Sequence, residues 1–341
     1  MRFLTVSAAT VVALALHAAA PVSMRNQTTG AYPLPPQQPS AEQRTEAEAR
    51  RVAERNRAER ARQRIATGTP AELTPGYVQA QIGPVPASLS VSPFYKKYVD
   101  ALGIPVISSE RVPDDALLVA RDIVITMLSA RPDVRKSMIA RRWRTGVIGE
   151  TEMTADIPEY ADRKRPGAPQ GEAVVQADRD FHAWRSRGLG GNPTTGAEEN
   201  LLGYPGTRYF GEHIFVHEFG HAIMSNLRSI DPATGAAIQA AYDEAKAAGK
   251  YVIASSGRPH YAMSNAGEYW AEGVQWWFFS NYGECFTGNV RVDTPDEFKA
   301  YDPKLYELLS RVFDTHRIPM DVFHGKQVRK VTCAAGGAPR P

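Results

Sequence analysis

The sequence predicts an α+β fold, either one domain of ordinary to large size or two small lobes around a cleft, and three observations point to it. The chain has 341 residues, 43% of them hydrophobic, enough to bury a full core once its N-terminal extras are set aside. Apolar residues recur at helical period in several separate stretches, with short strand-like runs between them. The two strongest helical stretches, residues 211–226 and 264–281, combine apolar faces with His and Glu side chains that are costly to bury without a partner.

Residues 1–23 read as a signal peptide. Arg2 gives the positive start, Leu4 to Leu16 the apolar run, and Ala18, Ala19 and Ala20 the small residues for cleavage. An uncleaved anchor is the alternative, but the run is short of the roughly 20 residues a span needs. A secreted or periplasmic protein with no membrane span after signal removal is therefore expected. Residues 24–73 read as a linker, Pro/Gln-rich at first and then, over 40–66, rich in Arg and Glu with almost no apolar face. That charged segment is read as a solvated linker; a spacer or propeptide-like role is the alternative. The net charge of +3 is mild, and much of the basic excess lies in this stretch, so no nucleic-acid partner is expected.

The folded domain is expected over 74–341. Pro113 with Asp114 and Asp115 marks a helix start, with Leu117, Val124 and Leu128 facing inward and a stop before Pro132. Pro132-Asp133 opens a shorter helix toward Ala140. Residues 143–149 have strand character, and 152–157 are read as continuing the same sheet. Residues 162–171 read as a surface loop and 188–192 as a flexible glycine run. Residues 200–204 are the candidate for an edge strand upstream of the next helix, with Glu198 and Glu199 as ordinary surface. Residues 236–248 read as a surface helix ending at Gly249. Two cysteines, Cys285 and Cys333, form an even pair that an oxidising compartment would join, with two buried thiols as the alternative.

Within 211–226 stands His217-Glu218-Phe219-Gly220-His221, an H-E-x-x-H pattern. Chance would produce about 0.02 such matches in a chain of this composition. Residues four apart share a helical face, so His217 and His221 can offer two imidazole nitrogens to one Zn²⁺, with Glu218 beside it as general base. Ile214, Phe215, Phe219 and Ile223 form the core-facing stripe, and Gly220 implies a close backbone approach.

Two histidines leave a catalytic zinc site incomplete, and no later histidine follows His221 at short spacing. An acidic third ligand is therefore indicated. Glu268 and Glu272 lie four apart on one face of the 264–281 helix, with Gln275 extending it, while Trp270, Ala271, Val274, Trp277 and Phe278 cover the others.

This pattern resembles the gluzincin zinc metallopeptidases, and within them the anthrax lethal factor catalytic domain and the Pro-Pro endopeptidase family. The likeness covers mainly residues 213–279: the HEFGHA string, the E-aromatic-aromatic-A-E string, Tyr261 seven residues before Glu268, Glu272 four after it, and Asn265. It implies a zincin-like domain with one Zn²⁺ per chain on His217, His221 and Glu268, and Glu218 activating water. It also implies that Tyr261 is catalytic and that Glu272 accepts the far N–H of a ligating histidine. The expected activity is an exported zinc endopeptidase, acting as a monomer on peptide or protein substrates. Two alternatives stay open: a non-catalytic cell-envelope binding protein with a structural zinc site, and a scaffold assembled through residues 40–66.

Overall fold

The computed structural model describes residues 80–152, 154–161, 186–204, 209–318, 320–325, 331 and 333. The expected signal peptide, the charged linker and the loop over 162–171 lie outside the described residues. What is described is a mixed α+β arrangement: a six-stranded mixed sheet, a two-stranded sheet and the helices packed around them.

The chain enters through β1 (Gly83–Pro84), β2 (Lys97–Ala101) and β3 (Ile104–Ser108), all antiparallel neighbours. Helix α1 (Asp114–Met127) follows, with Pro113 at its N-cap and Asp114 and Asp115 in the first turn, where acidic groups suit the helix dipole. Leu117, Val124 and Leu128 all face the core, as their period predicts. Helix α2 (Pro132–Ala140) has Pro at its first position, where the missing N–H costs nothing. The chain then returns as β4 (Thr145–Ile148), parallel to β3.

The described residues of 152–157 do not continue the sheet. They form 3₁₀ turns at Thr154–Asp156 and Pro158–Tyr160, since Pro158 has no N–H to give a ladder and Glu152 folds back to accept from Gly149 N at 2.7 Å. Next come β5 (Gly188–Leu189) and β6 (Thr194–Ala197), so part of the expected flexible glycine run is a strand. β6 pairs parallel with β4, and β5 pairs antiparallel with β6 at the sheet edge, giving the order β1-β2-β3-β4-β6-β5.

The candidate edge strand at 200–204 is instead a short helix, α3 (Glu198–Leu201). Asn200 explains it: its amide donates to Tyr209 O and Glu212 O at 3.1 and 2.7 Å and accepts from Ile214 N at 2.8 Å. One buried side chain thus fixes the entry into the next helix. Glu198 and Glu199 are not surface residues; both are buried, and Glu199 is gripped by Arg187.

Helix α4 (Ile214–Ile230) carries the His-Glu motif, and α5 (Pro232–Ala247) follows directly. Asp231 ends one and caps the other, accepting from Thr234 N at 3.1 Å. α5 begins four residues earlier than expected from its alanine run, at Pro232, and Gly249 beyond its end adopts a φ of +64°.

Helix α6 (Ala266–Trp277) crosses α4 and buries Trp270, Ala271, Val274, Trp277 and Phe278. The crossing is close at Gly220, where an added Cβ would lie 3.3 Å from Val274 Cγ2 and where Trp270 Nε1 donates to the Gly220 carbonyl at 3.0 Å. A hairpin of β7 (Glu284–Phe286) and β8 (Val290–Val292) and helices α7 (Pro295–Tyr301) and α8 (Pro303–Ser310) complete this side. Cys285 and Cys333 form the expected disulfide, closing a separation of 48 residues, which chain entropy values at about 4 kcal/mol. Among the described residues no helix is long and apolar enough to cross a membrane.

Candidate metal centre

Two helices build the site. α4 presents His217, Glu218 and His221 from consecutive turns; α6 presents Glu268, Glu272 and Gln275 at spacings of four and three, which share one helical face. Each helix is started by a side chain that leaves its first turn no freedom. Asn265 Oδ1 accepts from Gly267 N and Glu268 N at 2.8 and 3.0 Å, which accounts for the asparagine at this place in the motif. His213 caps α4 by accepting from Val216 N at 3.4 Å. Burial lowers its pKa to about 3, so the ring is neutral and its nitrogen is free to accept.

The crossing brings three donor atoms together. His217 Nε2 lies 3.0 Å from Glu268 Oε2, His221 Nε2 lies 3.1 Å from the same oxygen, and the two nitrogens are 3.2 Å apart. Tetrahedral ligands about 2.0–2.1 Å from a central zinc stand about 3.3 Å from one another, so the triangle has the right size for that ion. The donor chemistry fits as well: two imidazoles and one carboxylate can serve as ligands to Zn²⁺. Burial opposes a charge on His217, yet the Glu268 hydrogen bond and the charges of Glu218, Glu272 and Glu268 outweigh it and hold its pKa near 10. Glu268, although burial works against its charge, is held below the usual carboxylate range by its contacts with His217 and His221. The cluster is thus built for a positive charge at its centre.

Among the described residues, two further groups of side chains converge closely enough to hold a metal ion: His217, Glu218 and His221, and Glu212, His217 and Glu272. His217 belongs to both. Its Nδ1 faces Gln275 Oε1 at 3.0 Å and Glu272 Oε1 at 3.7 Å, and Glu272 Oε2 accepts from Asn281 Nδ2 at 2.7 Å. The sequence reading gave the far N–H of a histidine to Glu272; the shorter contact belongs to Gln275.

A cavity of about 330 Å³ opens beside the triangle, lined among others by Gly188, Tyr209, Glu212, Glu218, Tyr261 and Asn281. Tyr261 sits on a 3₁₀ turn before α6, 53% exposed, with its ring centroid 6.3 Å from that of His217. Partial burial and then the charge of Glu268 raise its phenol pKa, so the hydroxyl keeps its proton. His260, its neighbour, is half-buried and also lines the cavity; its Nδ1 accepts from Ala262 N at 3.2 Å and its ring packs against Trp276 and Phe286. Burial, and then the charge of Glu272, push the Glu212 carboxyl up to about 8.

The sheet reaches the site through β5. A Cβ on Gly188 would meet Ile214 Cγ2 at 2.6 Å and Glu218 Cγ at 2.9 Å, and one on Gly190 would meet His221 Cβ at 2.5 Å. Glycine is required there because backbone lies directly on the motif helix. Arg187, just before the strand, is fully enclosed and bonds both oxygens of Glu199. Sequence reasoning missed Gly188, Arg187, Asn200 and Asn281; only the glycine run hinted at the first. No family model matches the chain, and no curated protein matches it.

Proposed function

We propose that the chain is a zinc-dependent endopeptidase of gluzincin type, with zincin-like lobes on either side of the cavity. One observation carries the reading: three donor atoms of His217, His221 and Glu268 within 3.2 Å of one another, beside a cavity lined by His217 and Glu218. Glu268 rather than Glu218 is the third ligand, because its oxygen already stands 3.0 and 3.1 Å from both nitrogens. A zinc ion held there would lower the pKa of a water toward about 7 and polarise a carbonyl oxygen.

Glu218 then takes the proton of the attacking water and passes it to the departing amine. Tyr261, protonated and lining the cavity, donates a hydrogen bond to the carbonyl oxygen as it gains charge. Strand β5 ends the order of the described strands beside the cavity, and an extended peptide added to its outer edge gains main-chain hydrogen bonds while its side chains alternate into and away from the cavity. The Cys285–Cys333 disulfide supports a working place outside the reducing cytoplasm, secreted or periplasmic.

The test is a peptide library profiled with purified protein, with and without chelator, alongside metal analysis. Wild type should hold about one zinc per chain. Replacing both His217 and His221 with Ala should remove the metal. Glu218→Gln should keep zinc and fold but lose nearly all hydrolysis, since an amide cannot accept the proton. Full zinc retention in the double variant refutes the ligand set. Zinc-loaded wild type that cleaves nothing points instead to a binding protein with a structural zinc site.

A further inference from the structure

We infer that Gln275, not Glu272, is the positioning residue that fixes the tautomer of His217 and thereby the affinity of the site for its metal. The inference rests on the zinc reading above and deepens it. Gln275 lies seven residues after Glu268 on the same face of α6, is completely buried, and has both ends of its amide engaged. Nε2 donates to the His213 carbonyl at 3.0 Å. A backbone carbonyl only accepts, so turning the amide over would set two oxygens against each other. Oε1 must therefore be the atom that faces His217 Nδ1 at 3.0 Å. An amide oxygen also only accepts, so Nδ1 carries a hydrogen, and in the neutral ring that a metal ligand must be, Nε2 holds the lone pair.

That lone pair is directed to where it is needed. Nε2 is the atom that shares the triangle with His221 Nε2 and Glu268 Oε2. Glu272 is less well placed: its Oε1 is 3.7 Å from Nδ1, beyond hydrogen-bond length, and its Oε2 is occupied by Asn281. The same amide also ties α6 to the first turn of α4, because His213, whose carbonyl it holds, is the N-cap of that helix. Gln275 thus sets both the proton on the ring and the angle at which α4 presents it.

Two readouts on zinc-loaded protein test this: the zinc dissociation constant by competition with a chromophoric chelator, and the ¹⁵N–¹H signal of the His217 Nδ1–H. In wild type that proton should be resolved and slow to exchange. Gln275→Leu should weaken zinc binding by 10- to 100-fold, as for loss of a partner behind a ligating histidine, and should shift the Nδ1–H signal and speed its exchange. Glu272→Gln should change affinity by less than about threefold and leave the signal in place. Loss of the Nδ1–H signal or of zinc affinity in Glu272→Gln assigns the hydrogen bond to Glu272 and overturns the inference, even if Gln275→Leu fails to fold. Unchanged affinity and signal in Gln275→Leu overturns it too. A wild-type protein that does not bind zinc at all sinks the metallopeptidase reading instead, so the two failures are distinguishable.

Discussion

Two buried charged clusters border the same cavity, one around Arg187 and one around His217, and they differ in whether their atoms satisfy one another. Arg187 donates to Glu199 Oε1 and Oε2 at 2.6 and 2.9 Å, to Glu152 O at 2.6 Å and to Gly149 O at 3.0 Å. Its charge is matched by a bidentate carboxylate and its remaining donors by backbone carbonyls, so nothing further is required. In the other cluster, two imidazole nitrogens and a carboxylate oxygen converge within 3.2 Å. In the neutral ring that a metal ligand must be, with the His217 proton on Nδ1, this triangle has more acceptors than donors. A cluster that closes on itself holds the fold; one that leaves lone pairs converging calls for a cation. The contrast separates a structural ion pair from a candidate metal centre without appeal to any relative.

The largest effect that could break the contrast is on stability. Glu199→Ala leaves the Arg187 guanidinium buried without its counter-ion, and the expected loss is about 3–5 kcal/mol in urea unfolding. Zinc affinity of the folded fraction should stay near that of wild type. Replacing both partners, Arg187→Met with Glu199→Leu, should recover most of the stability, because similar volume without charge needs no partner. Equal losses of zinc in Glu199→Ala and in the His variants would mean that the two clusters are one.

Glu198 sharpens the comparison, because it sits beside the closed cluster without belonging to it. Burial, with the charges of Glu150 and Glu199 adding, raises its pKa from 4.5 to about 7, although Tyr204 and the Glu150 N–H bond its oxygens and pull the other way. Between those two pH values the folded state keeps a proton that the unfolded chain has lost. Stability from this group is therefore full below about 4.5 and falls as pH rises through about 7, by something on the order of 3 kcal/mol. Glu198→Gln should flatten the dependence of unfolding free energy on pH between 5 and 8. A slope identical to wild type would show that Glu198 does not hold that proton in the folded state.

The halves of the site were unequally legible in the sequence. His217, Glu218 and His221 declared themselves because a helix repeats locally: four-residue spacing, an apolar stripe and a glycine at the crossing all sit within one short stretch. Glu268 and Tyr261 needed a second helix whose own pattern was equally local, and the structure brings both to the motif helix. Strand β5 was illegible for a physical reason. It is two residues long, has no β-branched side chain, and is a strand only because a glycine there lets backbone lie against Ile214 and Glu218. Glu198 and Glu199 looked like surface because the partner that draws Glu199 inward, Arg187, lies 12 residues away in sequence and no local pattern links them. Gln275 was visible on the right face, but which of two acceptors reaches Nδ1 is decided by side-chain rotamers and by the His213 carbonyl.

The smallest expected effect concerns the open cluster's outermost member. Tyr261 is 53% exposed and lines the cavity with its ring 6.3 Å from that of His217, so its removal should not disturb packing. Its raised pKa keeps the phenol protonated at neutral pH, which is the state that can donate. A donor aimed at an oxygen that gains charge only during reaction acts mostly in the transition state. Tyr261→Phe removes that donor and keeps the ring. Folding and zinc content should hardly change, KM should move little, and kcat should fall by roughly 10²-fold, equivalent to about 2.7 kcal/mol. His260 is the control, since its Nδ1 is already committed to Ala262 N and its ring to Trp276 and Phe286. His260→Ala should lower stability more than it lowers kcat. An unchanged kcat in Tyr261→Phe beside a large loss in His260→Ala would move the donor's role to the histidine, and the turn before α6 would then present its other side to the substrate.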